Sequence, residues 1–560
     1  MKKYFAYILA LAAALNFASC NQELLETTPT DRAAGTGMFA NANAALVPLN
    51  GIYRLMYTQG WSTTGNVQQC DGLTAWNLCA DVMGDDCIMA ATGSGWYWYD
   101  AAYNVKSRYT QSSWRSYDLW NGFYTLIANA NYIIAAGPTM EGDPADVNYV
   151  VGQAYAIRAY CYHMLASYFS RPYLTANPAD QAQRLKEKCV PIYTEPTGAG
   201  TPGKPRASIG DVYTQVRKDI DTAVIMLQTA PKQKHKTHID YAVANGLKAR
   251  ICLTTGDWAA AETAAKAAQT GYTIGDAATI TSGMNSLKNT NVMWGAEVIT
   301  DQTPGWGPIL YHMDGMSMLA LGSQVYGFSA PKCINLELYA KMGTTDVRRA
   351  WWLSPTDAIA KYMASDAETA AAFLENVSNV NYIQDKFRFS DASQSLGDKM
   401  WMRVEEMYLS EAEAICRQGG RDAEAVAVLM KVMEKRDPSY TCAKTGTALG
   451  AQTYNWTGSL LEEILIQRRI ELWGEYGRLF DIRRCGQGFT RTAAQGWPAG
   501  LMINATRDFD KPDTWAWVLT IPQAEFDGNE NLDQAVDQNP TILKGQPEDP
   551  SVIYVTEDAE

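Results

Sequence analysis

The side chains in this sequence best placed to do chemistry are clustered aromatics. Residues 95–100 read Gly-Trp-Tyr-Trp-Tyr-Asp, behind a Gly- and Ser-rich lead-in. Trp and Tyr combine a flat apolar face with a polar edge and suit wet binding surfaces. The stretch is therefore expected to form a ligand platform of Trp96, Trp98, Tyr99 and Asp100. The competing reading is a buried strand with Trp96 and Trp98 facing inward together. Gly305-Trp306-Gly307-Pro308 with Tyr311 forms a second loop candidate, and Trp61 and Tyr326 follow. Trp351-Trp352, behind Arg348-Arg349, reads as a core pair.

Signals for other chemistry are incomplete. Gly198-Ala199-Gly200-Thr201-Pro202-Gly203-Lys204 fits the first seven places of a P-loop. Pro205 then stands where Ser or Thr should hold magnesium, so a surface loop is expected. No G-x-S-x-G or H-E-x-x-H occurs. Glycosidase chemistry needs two carboxylates flanking a cleft. Glu405, Glu406, Glu411 and Glu413 crowd one helix beside Arg403 and read instead as a solvated or salt-bridged set. Without C-x-x-C, and with the four His scattered, neither a metal nor a cofactor is expected. Asp81, Asp85 and Asp86 form the one acidic cluster that suggests a metal. Of the cysteines after Cys20, Cys70, Cys79 and Cys87 lie close enough to pair. Cys161, Cys252 and Cys416 sit in apolar helical runs and read as buried thiols.

The elements that must position these residues are mostly helical. The predicted helices span 44–56, 120–135, 150–169, 209–227, 241–255, 258–268, 402–417, 422–435 and 460–483, with a brief one at 358–364. Ser208 is a fitting N-cap with Asp211 three residues on. On the third helix Val151, Ala154, Tyr162, Leu165 and Phe169 share a face with Arg158, which implies a buried, paired arginine. Arg468 and Glu475 sit on and beside a core face and imply an internal ion pair. Helices 241–255 and 258–268, hinged at Gly256-Asp257, look like a tetratricopeptide hairpin, though no 34-residue period persists. Residues 270–398 break the pattern as a long loop-rich insertion. The tail after Ala516 is expected to lie extended along the surface. The fold class is mainly α, an irregular tetratricopeptide-like scaffold with that insertion.

The chain has 560 residues and a net charge of −13, with 31 Tyr and 17 Trp against 13 Phe. That length is about three or four domains' worth, or one composite unit. The acidic balance argues against nucleic acid as a partner. At the N-terminus, Lys2 and Lys3 precede a charge-free run over Phe5–Phe17, too short to cross a bilayer. Ala18-Ser19-Cys20 follows and resembles a bacterial lipobox, with Phe17 in place of the usual Leu. Residues 1–19 are expected to be a lipoprotein signal peptide and Cys20 the lipid-attachment (palmitate-bearing) residue, anchoring the body to a membrane.

Ordered blocks along the chain resemble the SusD/RagB family of Bacteroidetes outer-membrane lipoproteins. Glu23-Leu24-Leu25-Glu26-Thr27-Thr28-Pro29 is similar to its opening, and Leu49-Asn50-Gly51-Ile52-Tyr53 and Ile127-Ala128-Asn129-Ala130-Asn131 to its first helices. Ala156-Ile157-Arg158-Ala159 with Arg171-Pro172, and Lys248-Ala249-Arg250 with Gly256-Asp257-Trp258, follow. Arg403-Val404-Glu405-Glu406-Met407-Tyr408-Leu409, with Glu411 to Ala414, is the most recognisable block. Gln467-Arg468-Arg469-Ile470-Glu471-Leu472 comes next, with Gln467 replacing the usual Glu. Phe480-Asp481, Ile521-Pro522 and Gln538-Asn539-Pro540 close the order.

The resemblance implies a non-catalytic, glycan-binding lipoprotein on the outer face of the outer membrane. Such a protein sits as a lid on a SusC-like TonB-dependent transporter and hands it oligosaccharide. It also implies one composite unit, with an N-terminal region over 20–230 and a C-terminal region over 231–560, the insertion forming the ligand face. A pyranose offers a C–H patch that stacks on Trp or Tyr and hydroxyls that need hydrogen bonds. Burying that patch is worth ~25 cal/mol per Å² before ordering costs, so several rings are needed for useful affinity. A peptide-binding lid and an exported glycoside hydrolase are the alternatives.

Overall fold

The structure is a computed structural model that describes residues 37–58, 69–90, 96–103, 114–231, 233, 235–302, 309–314, 316, 327, 330–377, 381–504 and 508–540. The leader and Cys20 lie outside the described residues. In chain order the main elements are α1 (Ala42–Met56), α2 (Gly72–Val82), β1 (Cys87–Met89), α3 (Trp98–Ala101), α4 (Trp114–Ala136), α5 (Pro144–Phe169), α6 (Ile209–Gln228), α7 (Tyr241–Thr255) and α8 (Trp258–Ala268). Then come β2 (Val292–Ala296), β3 (Lys332–Ile334), β4 (Trp352–Leu353), β5 (Ile383–Gln384), β6 (Lys399–Arg403), α9 (Val404–Gln418), α10 (Asp422–Met433), α11 (Leu460–Glu471), α12 (Arg478–Arg484) and α13 (Gln523–Gly528).

Side-chain caps set many of the helix starts. Ser208 Oγ accepts from the Asp211 amide, and Asp143 and Asp257 do the same for α5 and α8. Pro144 at the first turn of α5 needs no hydrogen-bond acceptor. Gly256, at φ 75°, closes α7 in the left-handed region and turns the chain into α8. Consecutive helices pack as hairpins: α4 on α5, α5 on α6, α7 on α8, then α8, α10 and α11 around α9. This is the irregular tetratricopeptide-like scaffold. The insertion adds three strands to β1 in a four-stranded antiparallel sheet of order β1-β3-β5-β4, with Ile88 opposite Cys333 and Leu353 opposite Ile383. A second pair joins β2 to β6.

Three predicted elements differ. Met402 and Arg403 belong to β6 rather than to a helix, because β2 pairs with them. The predicted helix 460–483 is two helices. Gly474 and Gly477 take φ of 76° and 98°, and the bend places Glu475 Oε2 2.7 Å from Arg403 Nε. The start of the tail after Ala516 does not lie on the surface. Trp517, Val518, Leu519 and Ile521 are buried, the Leu519 amide donates to the Tyr168 carbonyl, and Asn539 Nδ2 bridges the Phe169 and Leu519 carbonyls.

The Tyr and Trp excess serves the core more than the surface: Trp76, Trp294, Trp351, Trp352 and Trp517 are fully buried. Beside them lies a lattice of buried charge. Glu471 accepts from Arg403 and Arg436 and lies 3.4 Å from Arg348, while Arg436 reaches Glu405 at 3.0 Å. Gln467 keeps its place in this lattice as a hydrogen-bond acceptor from Arg348. Arg158 pairs with Asp219 at 2.7 Å. Arg468 does not meet Glu475; it pairs with Asp481 at 2.8 Å and with Glu406 at 3.4 Å. All ten described cysteines are free thiols.

Candidate functional site

The 96–100 segment is neither a flat platform nor a strand. Tyr97 sits at φ 71° and opens the single turn α3. The turn sends Tyr97 and Asp100 inward and leaves Tyr99 about half exposed, at 51%. The Tyr97 amide donates to Gln69 Oε1, and its ring meets the His312 ring edge-on at 5.2 Å. Burial pushes its phenol well above the ordinary value. Asp100 receives Arg115 Nε and Nη2 at 2.9 Å each, so its oxygens are committed to an internal salt bridge rather than to a ligand. Trp98 is buried at 8% exposure, which corrects its expected place on the platform. Trp96 is half-buried and packs against His312 at 5.9 Å. Only Trp96 and Tyr99 of the predicted four thus reach the surface.

His312, which sequence reasoning missed, lies on the short helix Ile309–Met313. By touching both Trp96 and Tyr97 it seats the second predicted loop region against the first. Its signal in the sequence was only its place beside Tyr311. Trp61, Trp306, Tyr326 and the ring of Tyr311 lie outside the described residues.

A second aromatic region was not anticipated at all. Tyr117, Trp120, Asn121, Tyr124, Ile127 and Ala128 recur at helical spacing along one face of α4. That face floors an open cleft of about 400 Å³. Tyr193, Thr197, Gly198 and Thr201 form one wall, and Pro522, Ala524 and Glu525 the other. The P-loop-like stretch is therefore a cleft wall, pinned where Asn529 Nδ2 donates to the Lys204 carbonyl and Asn531 Nδ2 to that of Gly203. The spacing of aromatics on α4 was the available signal, but such stripes usually face a core.

The acidic candidates are structural. Glu405 pairs with Arg403 and Arg436, Glu406 with Arg250, and Glu413 with Arg484 and Arg417. Arg484 and Arg417 hold the Glu413 carboxyl down at about 2 against the cost of its burial. Glu411 is buried too, and accepts from Gln269. Asp85 and Asp86 are taken by Arg478 and Arg469. Among the described residues no group of three or more His, Cys, Asp or Glu is placed to hold a metal ion.

The fold is shared with known proteins. One family model, described as the SusD family, matches residues 344–540, and a second, described as starch-binding associating with outer membrane, matches 66–253. The chain belongs to the SusD family. A SusD-like carbohydrate binding protein from Bacteroides vulgatus is 26% identical, with a TM-score of 0.65 over 81% of this chain and 85% of that one. A SusD superfamily protein from the same species, 19% identical, covers 91% of this chain and 100% of its own with a TM-score of 0.67. Surface glycan-binding protein A from Bacteroides thetaiotaomicron, solved with laminarihexaose, is 16% identical, with a TM-score of 0.60 over 89% of this chain and 99% of that one. No curated protein is significantly similar in sequence. In this SusD-family chain the 403–413 block is a charged core joint, and among the described residues no helix is long and apolar enough to cross a membrane.

Proposed function

We propose that this chain captures oligosaccharide at the outer-membrane surface without cleaving it, using the rim formed by Trp96 and Tyr99. In this reading a lipid on Cys20 tethers the protein facing outward, and the sugar passes to a SusC-like TonB-dependent transporter. The observation that carries the reading is the exposed Tyr99 on a rigid turn in a SusD-family fold. Asp100–Arg115 and the packed Tyr97 hold that turn, so little conformational entropy is lost on stacking a sugar against it. The 26%-identical relative bears the description of a carbohydrate binding protein, which supports the same ligand class. Glu405, Glu406 and Glu413 are committed to arginines and Glu411 accepts from Gln269, which supports capture over hydrolysis.

Calorimetric titration of the soluble mature protein against a panel of polysaccharides and peptides tests this. Saturable binding to one glycan, lost in the Trp96→Ala/Tyr99→Ala double variant, is the expected outcome. Continuing heat with sugar consumed would make the protein a hydrolase, and binding to peptides alone would replace the ligand class.

A further inference from the structure

The cleft on α4 has the makings of a binding site of its own. Its volume of about 400 Å³ falls within the ~300–1,000 Å³ of small-molecule sites. Tyr124 and Tyr193 meet at 83° with ring centroids 6.0 Å apart, and Trp120 lies 5.0 Å from Tyr124. The two tyrosines, backed by Trp120, which is buried at 5% exposure, make an apolar corner against which a ring's C–H face can lie. Polar groups surround it. The Tyr117 hydroxyl and the Asn121 amide line the cleft without a hydrogen-bond partner among the described residues. The Tyr193 hydroxyl accepts from the Lys204 amide and so keeps its own proton to donate. Glu525 is fixed by Trp120 Nε1 at 3.1 Å and Asn529 Nδ2 at 2.8 Å, one on each oxygen, which leaves both oxygens further acceptor capacity.

We propose that this cleft is a second saccharide site, separate from the Trp96–Tyr99 rim, and that it takes a neutral hexose unit of an oligosaccharide. Its ligand class rests on the capture reading above. Neutrality follows from the lining, which carries a carboxylate and no cation; Lys204 Nζ stands outside it, 5.3 Å from the Tyr193 ring centroid, where it donates to the Ile192 carbonyl. The site is preformed: a Cβ on Gly203 would fall 1.9 Å from Asn529 Oδ1, so the wall loop and the segment after α13 fit closely.

Fluorine NMR on the soluble mature chain, labelled with 5-fluorotryptophan and assigned through Trp96→Phe and Trp120→Phe, reads both sites at once. The probes are maltohexaose, laminarihexaose and mannohexaose. The Trp120 resonance is expected to shift saturably with at least one of them and to do so equally in Tyr99→Ala. Ala128→Arg, which fills the cleft floor, is expected to weaken that response about tenfold or more. Should Ala128→Arg misfold, Asn121→Ala is expected to weaken it at least about threefold, the loss of one hydrogen bond. A response at Trp96 with silence at Trp120 overturns the cleft and leaves the capture reading standing. Silence at both overturns the two together. A Trp120 response to tripeptides and to none of the sugars overturns the cleft as a saccharide site.

Discussion

Two aromatic regions lie fewer than twenty residues apart in the chain and fold in opposite senses. The 96–100 segment is dense in Trp and Tyr, yet α3 turns most of it into the core and leaves Tyr99 and part of Trp96 outside. The 117–128 stretch is sparser, yet its helix opens Tyr117 and Tyr124 to a single cleft, with Trp120 buried at its floor. Aromatic density along the chain is thus a poor guide to a ligand face. The phase of the local helix, and whether a neighbouring element covers that phase, decides it.

The largest expected effect would break this contrast at its hinge. Asp100→Ala takes from buried Arg115 its bidentate carboxylate and leaves the Gln69 carbonyl and Asp118 at 3.5 Å, and urea unfolding is expected to show a loss of about 4 kcal/mol. A loss below about 1 kcal/mol would mean that Asp100 is not the anchor of the turn. Next, Trp98→Ala is expected to cost about 3 kcal/mol as a core truncation while leaving the rim's chemistry in place. Unchanged stability with abolished sugar binding would return Trp98 to the platform.

Asp118 joins the two regions, since it lies on α4 beside Tyr117 and touches Arg115. Burial raises its carboxyl to about 6, only partly offset by Arg115 and the Trp76 indole N–H. An acid whose folded pKa is raised costs stability when ionised. The penalty is absent below about pH 4, grows between pH 4 and 6, and is complete above about 6. Asp118→Asn is therefore expected to gain on the order of 1–3 kcal/mol at pH 7 and nothing below about pH 4. A gain that does not depend on pH would contradict this. The smallest stability effect is expected at the rim. Tyr99→Ala should change unfolding free energy by less than about 0.5 kcal/mol while weakening glycan binding, the reverse of its neighbour Trp98.

Much of the scaffold was legible in the residues themselves. Helices 241–255 and 258–268 begin and end where their Asp caps and Gly256 place them, and Ser208 caps α6 as its spacing with Asp211 requires. Arg158 was recognisable as paired because a charge on an apolar face must be neutralised, though the sequence could not say that Asp219 does it. The site was less legible. That Asp100 belongs to Arg115, that His312 seats the 309–313 helix on the Trp96 turn, and that Asn529 and Asn531 pin the 198–204 loop are contacts between distant segments. None leaves a local pattern.

What the sequence determined alone is what short-range physics controls: caps, helical phase, the glycine stops, and the order of blocks that marks the SusD family. What only the tertiary structure decided is which face each element presents to water. Periodicity makes a face apolar or aromatic, but exposure depends on whether another segment is packed over it. Trp98 is covered and Tyr99 is not, and α13 stands beside the α4 stripe, leaving it as a cleft instead of sealing it into the core.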